Sequence, residues 1–270
     1  LKEAIKQAAS DVHLIGGELP MIRVEGELKE LESKPLANKE LETALFGLLT
    51  KEQEALYAKE HELDFAYEIE GVRFRMNLHQ QEERIGLAAR LIPSEIPTPE
   101  ELHFEPALAE LPNLLDGLVL VTGPTGCGKS TTIASMIEEI NKSRKSHIIT
   151  IEDPIEFVFK DKQSLVEQRE VGIDTPSFGS ALKHVLRQDP NVIFVGEMRD
   201  PETIATVLTA AETGHLVFST LHTASAPEAV ERIVDVFDGT RQKQVLIQLS
   251  AVLRAVVSQQ LLPAKDSGRV

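Results

Sequence analysis

Between Leu63 and Ile69 the apolar residues Leu63, Phe65, Tyr67 and Ile69 alternate with Asp64, Ala66 and Glu68. After Gly71 the alternation resumes, with Val72, Phe74, Met76 and Leu78 against Arg73, Arg75, Asn77 and His79. A period of two on both sides of a turn predicts a β-hairpin with one apolar face. A third run, Arg84 to Leu91, puts Ile85, Leu87, Ala89 and Leu91 on one side and Arg84 and Arg90 on the other. Side chains two apart share a face, so Arg73, Arg75, Arg84 and Arg90 fall on one polar side of a small sheet. That side is either a solvated face with arginines paired to glutamates or a surface turned toward an anion. Short alternating runs begin at Asp11 and continue to about Ile92. One helix interrupts them, expected from about Asn38 to Ala58, where Leu41, Leu45, Leu48 and Leu49 recur at helical spacing.

From Ile92 to Pro112 the pattern stops. Pro93, Pro97, Pro99, Pro106 and Pro112 block continuous helix or strand, and the segment reads as a linker. Beyond it, short apolar runs alternate with helical stretches. Strands are expected at Leu118–Gly123, His147–Asp153, Val192–Gly196 and Leu216–Thr220. Helices are expected from Lys129, over about Phe178–Gln188, and from Pro201, Ser225 and Arg241. This order predicts a parallel sheet with helices on both faces. The expected organisation is an N-terminal domain over 1–92, a proline-rich linker over 93–112 and an α/β domain over 113–270, whose polar final residues read as a cut end.

Composition narrows the class. A chain of 270 residues suits one large or two modest domains, and two is the count the pattern supports. The formal net charge of −15 and a pI near 5.0 disfavour a basic surface tracking a phosphate backbone, so no nucleic acid is expected as partner. The one cysteine, Cys127, excludes an intrachain disulfide framework and a zinc site built on several thiolates. No apolar run approaches the roughly 18 residues of a membrane span, and no leader segment opens the chain. A cytoplasmic location is expected, with the membrane reached only through a partner.

The chemistry begins directly after the run Leu118-Val119-Leu120-Val121. Gly123-Pro124-Thr125-Gly126-Cys127-Gly128-Lys129-Ser130-Thr131 contains the P-loop spacing, with a strand before it and a helix after it. Such a loop wraps a phosphate in backbone N–H groups while the helix presents its positive end. Lys129 is placed to reach the β- and γ-phosphates of ATP, and the Ser130 hydroxyl to ligate Mg²⁺. Cys127 reads as a small loop residue contributing its N–H, with a redox role as the alternative.

Open α/β sheets hold ligands outside the carboxyl ends of their strands. The second strand of this sheet runs out at Glu152-Asp153-Pro154-Ile155-Glu156. The third ends in Val195-Gly196-Glu197, the shape of a Walker B element, and the fourth at Leu221-His222-Thr223. Two acidic groups and an imidazole at neighbouring strand ends are what is needed to orient a water, hold Mg²⁺ and sense a γ-phosphate. Glu152 and Asp153 also suit a plain turn around Pro154. His215 and His222 lie about 20 Å apart if the strand between them is extended, so they cannot share an ion.

Together these segments resemble one family. Residues 122–132, 149–156, 194–200 and 213–223 are similar to the Walker A, Asp box, Walker B and His box of the secretion-superfamily hexameric ATPases. The form Glu197-Met198-Arg199-Asp200, and residues 253–263, resemble the twitching-motility PilT family of type IV pilus retraction ATPases. The resemblance implies a RecA-like P-loop ATPase domain preceded by a smaller PAS-like α+β domain. It also implies a homohexamer hydrolysing ATP with Mg²⁺ and a pilus platform protein of the inner membrane as partner. It gives Glu156 the attacking water, Glu197 the Walker B role, and His222 a place near the γ-phosphate, with His215 in the His box. Arginines from the N-terminal domain approach the phosphates in that family. Arg75 and Arg90 match best, and Arg187, Arg199 and Arg232 are further candidates within or across subunits. The alternatives are an extension or type II secretion ATPase of the same superfamily, a RecA-like nucleic-acid translocase, and a nucleotide switch without turnover.

Overall fold

A computed structural model describes residues 1–93 and 95–262. Pro263, the last residue of the segment matched to the retraction family, and the polar tail 264–270 lie outside the described residues. The chain divides into two compact units at Ser94 and Glu95.

The first unit contains α1 (Lys2–Lys6), β1 (Asp11–Ile15), β2 (Met21–Val24), β3 (Glu27–Glu30), α2 (Asn38–Phe46), α3 (Lys51–Glu60), β4 (Glu62–Ile69), β5 (Val72–Gln81) and β6 (Arg84–Ile92). The strands form one antiparallel sheet in the order β3-β2-β1-β6-β5-β4. Phe74, Met76 and Leu78 of β5 and Leu87 and Ala89 of β6 are buried on one face, under Leu41, Leu45 and Tyr57 of the helices. The register pairs Arg75 with Arg90 and Gln81 with Arg84, which puts the four arginines on the opposite face. The single helix expected over 38–58 is two helices. Gly47 ends α2, and Thr50 opens α3 with a capping box in which its hydroxyl accepts from the Gln53 N–H. The turn between them holds Leu48 and Leu49, whose spacing had suggested continuity.

The second unit contains α4 (Pro106–Ala109), a 3-10 turn at Leu111–Asn113, β7 (Gly117–Thr122), α5 (Lys129–Ser143), β8 (His147–Glu152), β9 (Leu165–Glu170) and α6 (Phe178–Val185). It continues with β10 (Val192–Val195), α7 (Pro201–Glu212), β11 (Leu216–Leu221), α8 (Ala226–Asp235), α9 (Gly239–Val252) and β12 (Leu253–Ser258). All six strands are parallel, in the order β12-β7-β11-β10-β8-β9. Alternate residues supply two cores. Leu118, Leu120, Ile149, Ile151, Ile193 and Val195 pack toward α6, α7, α8 and α9, while Val119, Val121, Ile148, Phe194 and Phe218 pack toward α5. The expected α/β class is the observed one. Much of the proline-rich stretch read as a linker is built into this unit. Phe104, Leu108, Leu111 and Leu114 pack on the α5-side core, and Arg144 donates to the Pro112 and Leu114 carbonyls at 3.1 and 2.8 Å. Proline stops regular structure there without releasing the chain.

Candidate active site

The P-loop connects β7 to α5. Gly128, at φ +91°, is the N-cap of α5 and needs the left-handed region to turn the chain into the helix. Gly123 has no room for a side chain: a Cβ would lie 2.2 Å from the Gln259 carbonyl oxygen and 2.7 Å from Cys127 Sγ. Gln259, just beyond β12, is bound to both ends of the loop. Its N–H donates to the Thr122 carbonyl at 2.8 Å, and its side-chain oxygen accepts from Thr132 Oγ1 at 2.9 Å. The Lys129 ammonium is buried and donates to the Gly123 and Pro124 carbonyls at 2.9 and 3.1 Å.

Facing this loop is a cavity of about 300 Å³. Besides the P-loop it is lined by Glu152 at the end of β8 and Asp153, Pro154 and Glu156 after it, by Glu197 and Arg199 after β10, and by Thr220 and His222 at the end of β11. The structure therefore brings together the P-loop, the bend after β8, the Walker B-like carboxylate and the second histidine. Glu197 accepts from Arg199 Nε at 2.7 Å and lies 3.4 Å from His222 Nε2. His222 Nδ1 is 3.5 Å from Lys129 Nζ. An ammonium has only donors, so in that contact Nδ1 is the acceptor, and Nε2 faces Glu197. Lys129, His222, Glu197 and Arg199 form one chain of polar contacts across the cavity.

Glu152 is 5% exposed. Burial pushes its carboxyl up to about 7, against the pull of hydrogen bonds from Thr150, Gln168 and the Glu156 N–H. The Thr150 hydroxyl donates at 2.6 Å and Gln168 Nε2 at 3.3 Å. After the cis Asp153–Pro154 peptide, Ile155 and Phe157 are buried while Glu156 between them is exposed. Two apolar anchors thus present a carboxylate to the cavity.

Other candidates fall elsewhere. His215 stands at the opposite end of β11, with Nδ1 2.9 Å from the Ala210 carbonyl and 3.1 Å from Thr213 Oγ1, where it closes the end of α7. Arg187, past the end of α6, and Arg232, on α8, are exposed and do not line this cavity. In the first unit Arg75 and Arg90 border a cavity of about 380 Å³ together with Asp11, His13 and Asn77. Arg90 Nε donates to Asp11 Oδ1 at 2.8 Å, and Arg84 pairs with Glu18 and Glu82 at 3.0 and 2.9 Å, so the arginine face is at least partly balanced by local acids. Sequence reasoning missed Gln168, Gln259 and Thr220. Thr220 Oγ1 donates to the Gly196 carbonyl at 2.5 Å and ties the ends of β10 and β11 together.

The profile of the type II/IV secretion system protein family matches residues 1–268. The type IV pilus retractation ATPase PilT of Pseudomonas aeruginosa is 47% identical over 266 residues, covering 98% of this chain and 77% of that protein. A twitching motility protein of Neisseria gonorrhoeae is 47% identical over 253 residues, or 93% of this chain and 68% of that one. The crystal structure of the pilus retraction motor PilT with bound ADP superposes with a TM-score of 0.95 at 49% identity, over all of this chain and 79% of that one.

Proposed function

This chain belongs to the type II/IV secretion system protein family, and from that premise we propose that it is the ATP-hydrolysing motor of type IV pilus retraction, acting as a homohexameric ring. The observation that carries the reading is the convergence of four separate segments on one cavity beside the P-loop. In this reading the loop amides and Lys129 hold the β- and γ-phosphates, Glu156 orients and deprotonates the attacking water, and Glu197 is the Walker B acid. His222, whose Nε2 faces Glu197 at 3.4 Å, reports on the γ-phosphate. Arg199 and the first-unit arginines Arg75 and Arg90 are candidates for contacts to the phosphates within or between subunits. Arginine suits such contacts because its charge is permanent and its fork rigid.

The donor set fits Mg²⁺. The cavity offers the Ser130 hydroxyl and carboxylates, all hard oxygen ligands, and Mg²⁺ takes one or two protein groups with phosphate oxygens and waters. Among the described residues no group of three or more His, Cys, Asp or Glu is placed to hold a metal unaided. Bound Mg²⁺ supplies neutralisation of the charge developing on the phosphates. Among the described residues no helix is long and apolar enough to cross a membrane; the proposed route to the inner membrane is a platform protein bound by the ring, which converts turnover into retraction. Lys129→Ala tests the site directly. It abolishes ATP turnover, measured as phosphate release, and a variant with the parent rate would place the chemistry elsewhere.

A further inference from the structure

β9 is the edge strand of the second sheet, and its sequence Leu165-Val166-Glu167-Gln168-Arg169-Glu170 is mostly polar. Its register with β8 pairs Gln168 with Thr150 and Glu170 with Glu152, so these four side chains leave the sheet on one face. There the Gln168 amide makes three hydrogen bonds. Nε2 donates to Glu152 Oε1 at 3.3 Å and to the Phe157 carbonyl at 2.8 Å, and Oε1 accepts from the Phe159 N–H at 2.8 Å. The Glu170 carboxylate accepts from the Ile155 N–H at 3.2 Å. Three backbone groups of the 155–159 segment are therefore held by two side chains of β9, and Glu156 lies inside that span. Ile155 and Phe157, 2% and 9% exposed, fix the flanks from below.

We infer that Gln168 is a positioning residue for hydrolysis: by joining Glu152 to the backbone of 155–159, it fixes the direction in which Glu156 meets the attacking water. The inference rests on the reading of Glu156 given above. Gln168 does not line the nucleotide cavity, so its loss leaves the phosphate contacts of the P-loop in place and lets Glu156 drift. A misplacement of about 1 Å costs on the order of 100-fold in rate.

The test compares Gln168→Met, which keeps the length of the side chain and removes its donors and acceptor, with Glu156→Gln and the parent protein. Expected for Gln168→Met is a kcat lower by about 10- to 100-fold, with KM for ATP and the affinity for a fluorescent ATP analogue within about twofold of the parent. Amide hydrogen exchange speeds up at Phe159 but not in α5. Should Gln168→Met fail to fold, Gln168→Glu, which keeps the acceptor for Phe159 and loses both donations, gives the same split. A kcat close to the parent's in the variant that folds, or a fall in kcat matched by lost ATP affinity, overturns the inference while inactive Glu156→Gln leaves the site reading standing. Full turnover by Glu156→Gln overturns that reading and this inference with it.

Discussion

Replacing Glu152 by glutamine makes the protein more stable at alkaline pH and leaves it unchanged in acid. Burial raises the carboxyl from 4.5 to about 7 in the folded chain. Between those values the folded state holds a proton that the unfolded state has released. Stability therefore falls as pH rises through that window and levels off above it. At about 1.36 kcal/mol per pKa unit, the cost carried by the ionised carboxylate above pH 7 is on the order of 3 kcal/mol. Glutamine has the size of the protonated acid and keeps an oxygen for the Thr150 hydroxyl and the Gln168 amide, giving up only the long 3.5 Å bond from the Glu156 N–H, so it removes the charge without opening a cavity. The assay is thermal unfolding of parent and variant without nucleotide, from pH 4.5 to 8.5. For a unit of about 150–250 residues each kcal/mol moves Tm by about 2–4 °C, so the variant melts about 6–12 °C higher at pH 8. The two curves converge toward pH 4.5, below which the Glu152 carboxyl is protonated in the folded and the unfolded chain alike. A gap that stays constant with pH, or a variant less stable at pH 8, would refute the argument that a buried, incompletely compensated carboxylate sits beneath the site.

Two further substitutions probe the loop and the core. Gly123→Ala forces a methyl to within 2.2 Å of the backbone oxygen of Gln259 at a φ of +149°, so the P-loop must move; KM for ATP rises more than about tenfold, read by steady-state kinetics. Asn141 is fully buried and its side chain donates to Glu138 Oε2 and the Lys160 carbonyl at 3.0 and 2.8 Å while accepting from the Lys162 N–H at 3.1 Å. Asn141→Ala leaves those partners unpaired in the interior and costs about 3 kcal/mol in urea unfolding, with KM for ATP unchanged because α5 is altered at its far end from the P-loop.

The parts of the fold legible in the sequence are those where local pattern and burial coincide. β7, β8, β10 and β11 lie in the middle of the sheet, and each carries a run of buried residues with an apolar or β-branched core, Ile148, Ile149 and Ile151 in β8, because both of its faces are covered. The carboxylates and imidazole that follow them are legible for the same reason, since an abrupt polar residue at the end of such a run marks the ligand side of the sheet. The edge strands gave no such signal. β9 alternates weakly and carries charges, as an edge strand does, and β12 follows α9 without a glycine or proline, so Leu253–Ser258 reads as more helix. The division of α2 from α3 was legible in principle, in Thr50 and Gln53 at capping-box spacing, but the leucine periodicity ran across it. Arg187, Arg232 and His215 rest on the resemblance to the family and not on a strand-end signal. The positions of Arg187 and His215 follow from chain direction, which puts the ends of α6 and α7 at the amino ends of the strands they precede, while Arg232 lies exposed on α8.

What the central strands cannot do is hold their own loops in place. A loop leaving a parallel strand has no neighbour to continue the ladder, and its backbone groups must find partners among side chains. In this chain both edges of the sheet meet that need with the same residue type. Gln259 follows β12 at one edge and binds Thr122 and Thr132 on either side of the P-loop. Gln168 lies on β9 at the other edge and binds Glu152, Phe157 and Phe159 around the bend that carries Glu156. The two contribute differently: Gln259 donates its backbone N–H to Thr122 and accepts at its side-chain oxygen from Thr132, whereas Gln168 uses both the donor and the acceptor of its planar amide. The phosphate cradle and the carboxylate that faces it are thus each tied down from outside the four strands whose ends bear the chemistry, and so the precision of the site depends on the two strands that the sequence pattern concealed.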